Sequence, residues 1–270
     1  MVHIKSTEDI EKIRKASQIV GRTLQLLGQY VQAGITTLEL DAISESEIRK
    51  AGARPAFKGY RGFPGTLCVS INEEIVHGIP SKRKLKEGDI VSLDLGAIWD
   101  GFYGDAARTF AVGMITKEAQ QLVNVTRESL NIAIDQAREG NRIGDIGFAV
   151  QKFVEGYGYS VVREFVGHGI GRNLHEDPQI PNYGKPGQGP RIKAGMVFAI
   201  EPMVCQGGPE VEILQDNWTA ITRDRSLAAH FEHSLAITED GPVVLSEVPE
   251  MEPVLTAEVA ENAENKNAIS

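Results

Sequence analysis

Apolar residues recur at helical spacing over the first fifty positions. Ile10, Ile13, Val20, Leu24 and Leu27 lie on one helical face and predict a helix running up to Gly34, opened by a capping box at Ser6-x-x-Asp9. A second helix is predicted from Thr36-x-x-Glu39 to about Gly52. The order then repeats: a long helix over 117–138 closed by Gly140, and a shorter one over 144–156 closed near Gly158. Gly34 and Gly52 map onto Gly140 and Gly158 with a common offset of 106, a faint internal repeat of helix, turn, helix and strands.

After each helix pair the pattern changes to short β-prone runs bounded by Gly or Pro: TLCVSIN, the 21-residue stretch IVSLDLGAIWDGFYGDAARTF, SVVREFVG, MVFAIEPMV and HFEHSLAIT. Runs of helices followed by runs of strands predict an α+β fold rather than alternating βαβ units.

In the longest run, Asp100-Gly101 predicts a two-residue type I′ turn, because both central residues need positive φ. If Trp99 pairs with Phe102, Asp94 faces Ala107, and Asp105 lies two residues along on the same face. Such diagonal neighbours sit about 7–8 Å apart, within reach of converging side chains. A wet face would explain two carboxylates. Yet Ile90, Ile98 and small residues share that face, and close carboxylates on a covered face need a cation or a proton.

Composition narrows the setting. The 270 residues are 41% hydrophobic, enough for a sizeable core, and carry a net charge of −9. Six glutamates against one lysine in residues 247–270 supply −5 of it, and the tail from 248 to 270 reads as a disordered acidic extension to a single domain over 1–247. No basic patch stands out for nucleic acid. No run approaches ~18 uninterrupted apolar residues, and the first residues hold no apolar signal segment. Two cysteines, Cys68 and Cys205, are too few for a disulfide framework. These features predict a cytoplasmic protein with neither nucleic-acid nor membrane partners.

Three further stretches place donors in apolar surroundings: His168 in FVGHGIG, Glu201 in VFAIEPM and Glu232 in HFEHSLAI. Each alone has a dull explanation, as a core histidine or a solvated strand end. Together with Asp94 and Asp105 they form an oxygen-rich set of four carboxylates and one imidazole, suited to a pair of divalent metals.

The order Asp94, Asp105, His168, Glu201, Glu232, with NEEIVHGIP and GHGIGRNLHEDP, closely resembles the type I methionine aminopeptidases over residues 5–245. The resemblance implies the α+β pita-bread fold of the creatinases and aminopeptidases, with pseudo-twofold halves around a dinuclear site. It implies two divalent ions, whether Mn, Fe(II), Co or Zn. Asp94 would bind one, His168 and Glu201 the other, and Asp105 and Glu232 both. A bridging hydroxide would attack the first peptide carbonyl, with Glu201 as proton shuttle. His175 would donate to the oxyanion and His77 would hold the scissile amide near its nitrogen. Tyr60, Phe63, Cys68 and Trp218 fall at the family's methionine-pocket positions. Leu174 stands where several bacterial relatives carry an aromatic. Expected substrates are N-terminal methionyl peptides with a small second residue, including nascent chains at the ribosome, and the expected state is a monomer.

Two rivals are weighed. Proline-directed relatives usually carry a large N-terminal domain, whereas 93 residues precede Asp94 here. Type II methionine aminopeptidases insert helices between the last two glutamates, which here are 31 positions apart. A non-catalytic binding protein of the same fold typically loses metal donors, and all five are present.

Overall fold

The computed structural model describes residues 2–249; from 250 onward the predicted tail lies outside the described residues. All four helices form. Helix α1 (Thr7–Tyr30) and helix α2 (Thr37–Lys50) start at complete capping boxes, Ser6 with Asp9 and Thr36 with Glu39. Helix α3 (Lys117–Gln136) is capped by the Thr116 hydroxyl, which accepts from the Ala119 N–H. Helix α4 (Ile143–Glu155) follows. Among the described residues no helix is long and apolar enough to cross a membrane.

The faint repeat is physical. Gly34 N–H donates to Leu85 and Gly140 N–H to Ile192; Leu85 returns a bond to Ile35, and Ile192 one to Asn141. Gly88 and Gly195, both at positive φ, donate to Val112 and Ile237 in matching turns. Hence LKEGDIVSLD (85–94) and IKAGMVFAIE (192–201) are equivalent segments at an offset of 107, and they end on Asp94 and Glu201.

Nine strands build the main sheet. Its order is Arg54–Pro55, Ile90–Trp99, Phe102–Ala111, Glu232–Thr238, Val197–Ile200, Gly167–Gly169 and Glu176–Ile180, with Leu67–Ile71 and Gly241–Val244 pairing at the sides. Each half has its own core on the helical face. Ile13, Val20, Leu27, Leu40 and Ile48 pack with Leu93, Leu95 and Phe102, while Leu122, Leu130, Ile146 and Val150 pack with Phe198, Ile200 and Leu235. Alternation along the strands therefore turns Asp94 to the opposite face. Helix α1 comes so near the hairpin that a Cβ on Gly104 would stand 2.3 Å from the Ser17 nitrogen, which only glycine tolerates.

The predicted hairpin register holds: Trp99 pairs with Phe102 and Asp94 with Ala107, around Asp100 and Gly101 at φ 47° and 79°. Three other predicted strands are each two. SVVREFVG divides into Ser160–Val161 and Gly167–Gly169, MVFAIEPMV into Val197–Ile200 and Met203–Cys205, and HFEHSLAIT into Ala228–His230 and Glu232–Thr238. In all three the chain passes between the main sheet and a three-stranded one made of Ala228–His230, Met203–Cys205 and Ser160–Val161. Alternation carries on across the jump, so the sequence pattern hides it.

Candidate metal centre

Strand register alone gathers the acidic residues. Asp94 pairs with Ala107, and Ala107 with Glu232. Glu201 follows Ile200, whose partner is His233, so it ends the same row beside Glu232. The adjacent row runs Gly96, Asp105, then Ser234, Ala199 and His168. The Ser234 hydroxyl accepts from the Asp105 N–H at 3.1 Å and donates to its carbonyl at 2.7 Å. Neighbouring strands are about 4.8 Å apart, and the spacers Ala107, Gly96, Ser234 and Ala199 are small. Five donors from distant segments thus converge above a floor of short side chains. One ligand atom each from Asp105, His168 and Glu232 lie within 4.8 Å of one another.

Among the described residues, the basic groups within ion-pair distance of these carboxylates are two histidines facing Glu201, and burial keeps both imidazoles neutral. Asp94 Oδ1, Asp105 Oδ1 and Glu232 Oε1 are buried without a hydrogen-bond partner. Burial pushes the Asp94 carboxyl up to about 7. It also raises Asp105, with added repulsion from Asp94 and Glu201, and raises Glu201 and Glu232 likewise. His168 does not relieve them. Burial pushes its imidazole down to about 3, so it is neutral, and its Nδ1 faces the Gly169 carbonyl at 2.9 Å. A carbonyl only accepts, so the single ring proton sits on Nδ1 and Nε2 presents a lone pair. That lone pair faces Glu201 Oε1 at 3.6 Å: two acceptors this close need a cation or a proton between them. A donor set of four carboxylates and a neutral imidazole, with orphaned oxygens, fits divalent metal.

The remaining sequence candidates line the same cavity of about 370 Å³: Tyr60, Phe63, Cys68, His77, Leu174, His175 and Trp218 join the five donors. His77 follows the strand Glu74–Val76 at φ 63°, a left-handed conformation that a histidine rarely adopts and that clusters at functional sites. Its ring meets Phe165 edge-on at 5.2 Å and Trp218 at 6.3 Å. Phe63 meets Trp218 edge-on at 5.1 Å. His175 stacks between Tyr60, 5.5 Å away, and His168, 4.3 Å away, and its Nδ1 lies 2.8 Å from the Tyr60 hydroxyl. Burial lowers both imidazoles, His77 to about 4. Burial and the nearby carboxylates raise the Cys68 thiol, which keeps it neutral.

The sequence reading did not single out Arg61, Glu164, Phe165 or Gln179 on the cavity wall, nor His230. This buried histidine has no partner for either ring nitrogen and approaches Glu201 at 3.8 Å. Its two-residue spacing from Glu232 was the available signal.

Residues 11–239 match metallopeptidase family M24. The methionine aminopeptidase of Clostridium acetobutylicum is 52% identical over 91% of this chain and 99% of its own length. Methionine aminopeptidase 1 of Bacillus subtilis is 51% identical over 92% and 100%. The chain belongs to metallopeptidase family M24, among the methionine aminopeptidases. The crystal structure of the Thermotoga maritima methionine aminopeptidase superimposes with a TM-score of 0.91 at 47% identity, covering 92% of this chain and all of that one. A prolidase from Pyrococcus horikoshii shares the fold alone, at 24% identity and a TM-score of 0.73, with 64% of its length covered. The pita-bread architecture of this M24 metallopeptidase is therefore the one its relatives share, and the chain is a metal-dependent hydrolase.

Proposed function

We propose that this M24 metallopeptidase removes the N-terminal methionine from polypeptides whose second residue is small, with two divalent cations held by Asp94, Asp105, His168, Glu201 and Glu232. The observation that carries the metal assignment is the facing pair of acceptors, His168 Nε2 and Glu201 Oε1, beside buried unpartnered carboxylate oxygens. Order across the sheet supports the division of labour. Asp105 and Glu232 stand on the two central strands and would serve both ions. Asp94 flanks one side, His168 and Glu201 the other. Mn, Fe(II), Co or Zn all suit such donors.

Bound there, divalent cations supply carbonyl polarisation and a water acidic enough to ionise near neutral pH. Glu201 accepts the proton from that water at a carboxylate oxygen and returns it to the leaving amide nitrogen. In the tautomer that carries its proton on Nε2, His175 accepts from the Tyr60 hydroxyl at Nδ1, 2.8 Å away, and its Nε2–H can donate to a developing oxyanion. His77, neutral and fixed by its backbone, holds the scissile amide near its nitrogen. Tyr60, Phe63, Cys68 and Trp218, with Leu174 as a further wall, form an apolar and polarisable slot for the methionine thioether. A cavity near the low end of the usual 300–1,000 Å³ range leaves little room beside that slot, which limits the second residue. Both cysteines are free thiols, as suits a reducing cytoplasm where nascent chains are found.

The test is a Met-Ala-Ser against Met-Leu-Ser peptide assay on chelated protein, repeated with each metal added back. Cleavage of Met-Ala-Ser that returns only with metal, and Met-Leu-Ser left largely uncut, is the expected result. Cleavage by the chelated protein, or release of an Xaa-Pro residue in preference to methionine, overturns the reading.

A further inference from the structure

Two imidazoles face the Glu201 carboxylate, one at each oxygen, and they are not equivalent. His168 turns a lone pair toward Oε1, because its proton is committed to the Gly169 carbonyl. His230 makes no such commitment: neither ring nitrogen has a hydrogen-bond partner, and the side chain is 1% exposed. Its Nε2 points at Glu201 Oε2 from 3.8 Å. A buried N–H left unpaired costs about 1–3 kcal/mol. The acceptor that an approach of roughly 0.7 Å would bring into range is Oε2.

The backbone of His230 is held more firmly than a core residue requires. Thr109 Oγ1 accepts from the His230 N–H at 2.9 Å and donates to its carbonyl at 2.8 Å. Ser92 Oγ lies 2.9 Å from the same Thr109 oxygen. His230 also pairs with Met203, just beyond Glu201 and Pro202. Hairpin, Ala228–His230 strand and Glu201 turn are therefore locked together where the chain changes sheet.

We propose that His230 is a positioning residue for Glu201: its Nε2–H donates to Oε2 and fixes the carboxylate plane, leaving Oε1 to share a cation with His168. The proposal rests on Glu201 being a metal ligand and proton carrier, as argued above. Groups that orient ligating carboxylates typically carry 10–100-fold of metal affinity or activity.

The experiment compares wild type, His230→Gln, His230→Leu and His230→Met. It reads Mn²⁺ affinity of the chelated proteins by calorimetry, kcat and KM for Met-Ala-Ser, and melting temperature. His230→Leu and His230→Met are expected to lose about 10–100-fold in Mn²⁺ affinity and in kcat, with KM within about threefold, while the amide donor of His230→Gln restores both to within about threefold of wild type. Apolar variants that bind Mn²⁺ and turn over like wild type overturn the proposal. So does a folded His230→Gln protein as impaired as His230→Leu, and this variant decides the matter if the apolar ones do not fold. Wild-type protein that binds no Mn²⁺ overturns the metal reading, and this proposal with it; failure confined to the variants' comparison removes only the role of His230.

Discussion

Glu176 and the carboxylates of the centre are both buried, and the fold treats them in opposite ways. Burial alone would raise Glu176, but Lys5 Nζ at 2.6 Å and the Asn173 N–H at 3.1 Å hold it below the usual range. Both side chains of that ion pair are about nine-tenths covered or more, at 6% and 7% exposure. One residue away from Glu176, His175 opens onto a cavity where Asp94, Asp105, Glu201 and Glu232 are raised, with no lysine or arginine among the described residues in an ion pair with them. The difference shows what the protein keeps for itself. Where a carboxylate only has to hold a loop, the chain provides the cation; where it has to work, the cation is left to come from solution.

The largest effect should come from breaking the open set. Asp105→Asn removes the donor proposed to serve both cations from a central strand, and we expect at least about 10³-fold lower turnover of Met-Ala-Ser, with reduced metal content by elemental analysis. Breaking the closed pair should act on stability instead. Lys5→Met leaves the partly buried Glu176 with the Asn173 N–H but no cation, a loss of about 1–3 kcal/mol in denaturant unfolding, while the double variant Lys5→Met/Glu176→Leu should recover most of it. If Lys5→Met alters metal content but not stability, the two regions are not separate as described.

A smaller and more selective effect is expected at the boundary between them. His175→Ala should keep its metals yet lose about 10²–10³-fold in kcat. Loss of metal with unchanged turnover per bound site would move His175 from oxyanion donor to ligand support.

The open half of this contrast is visible in the chain itself, where local chemistry commits the backbone. Asp100-Gly101 sets the hairpin register, and that register places Asp94 and Asp105 on one face; the capping residues Ser6 and Thr36 set two helix starts. What stays hidden is the path between elements. At Glu201-Pro202 and at Phe231 the chain steps from one sheet to another without a change of hydrophobic rhythm, so alternation reads as one strand. Two signals stood unused: Pro202, which cannot donate to a ladder, and the match of LKEGDIVSLD with IKAGMVFAIE, which makes Asp94 and Glu201 symmetry mates. The Lys5–Glu176 pair spans 171 positions, and His230 is marked in the chain by nothing more than its two-residue spacing from Glu232; the folded arrangement gives each its meaning.

The central claim is that the buried carboxylates are balanced by added cations and not by the protein. Thermal melting of chelated and Mn²⁺-loaded protein from pH 6.5 to 8 tests it most directly. The Asp94 carboxyl rises in the folded chain from about 3.8 to about 7, so the stability it contributes is full below 3.8 and is lost as pH climbs through 7. The lowered imidazoles of His77, His168, His175, His230 and His233 act in the opposite sense and are still completing their contribution as pH rises past 6.5, but they are neutral in metal-free and loaded protein alike and cancel in the difference between the two. The melting-temperature gap between loaded and metal-free protein should therefore widen from pH 6.5 to 8. A constant gap, or no stabilisation by Mn²⁺ at any pH, would contradict the account.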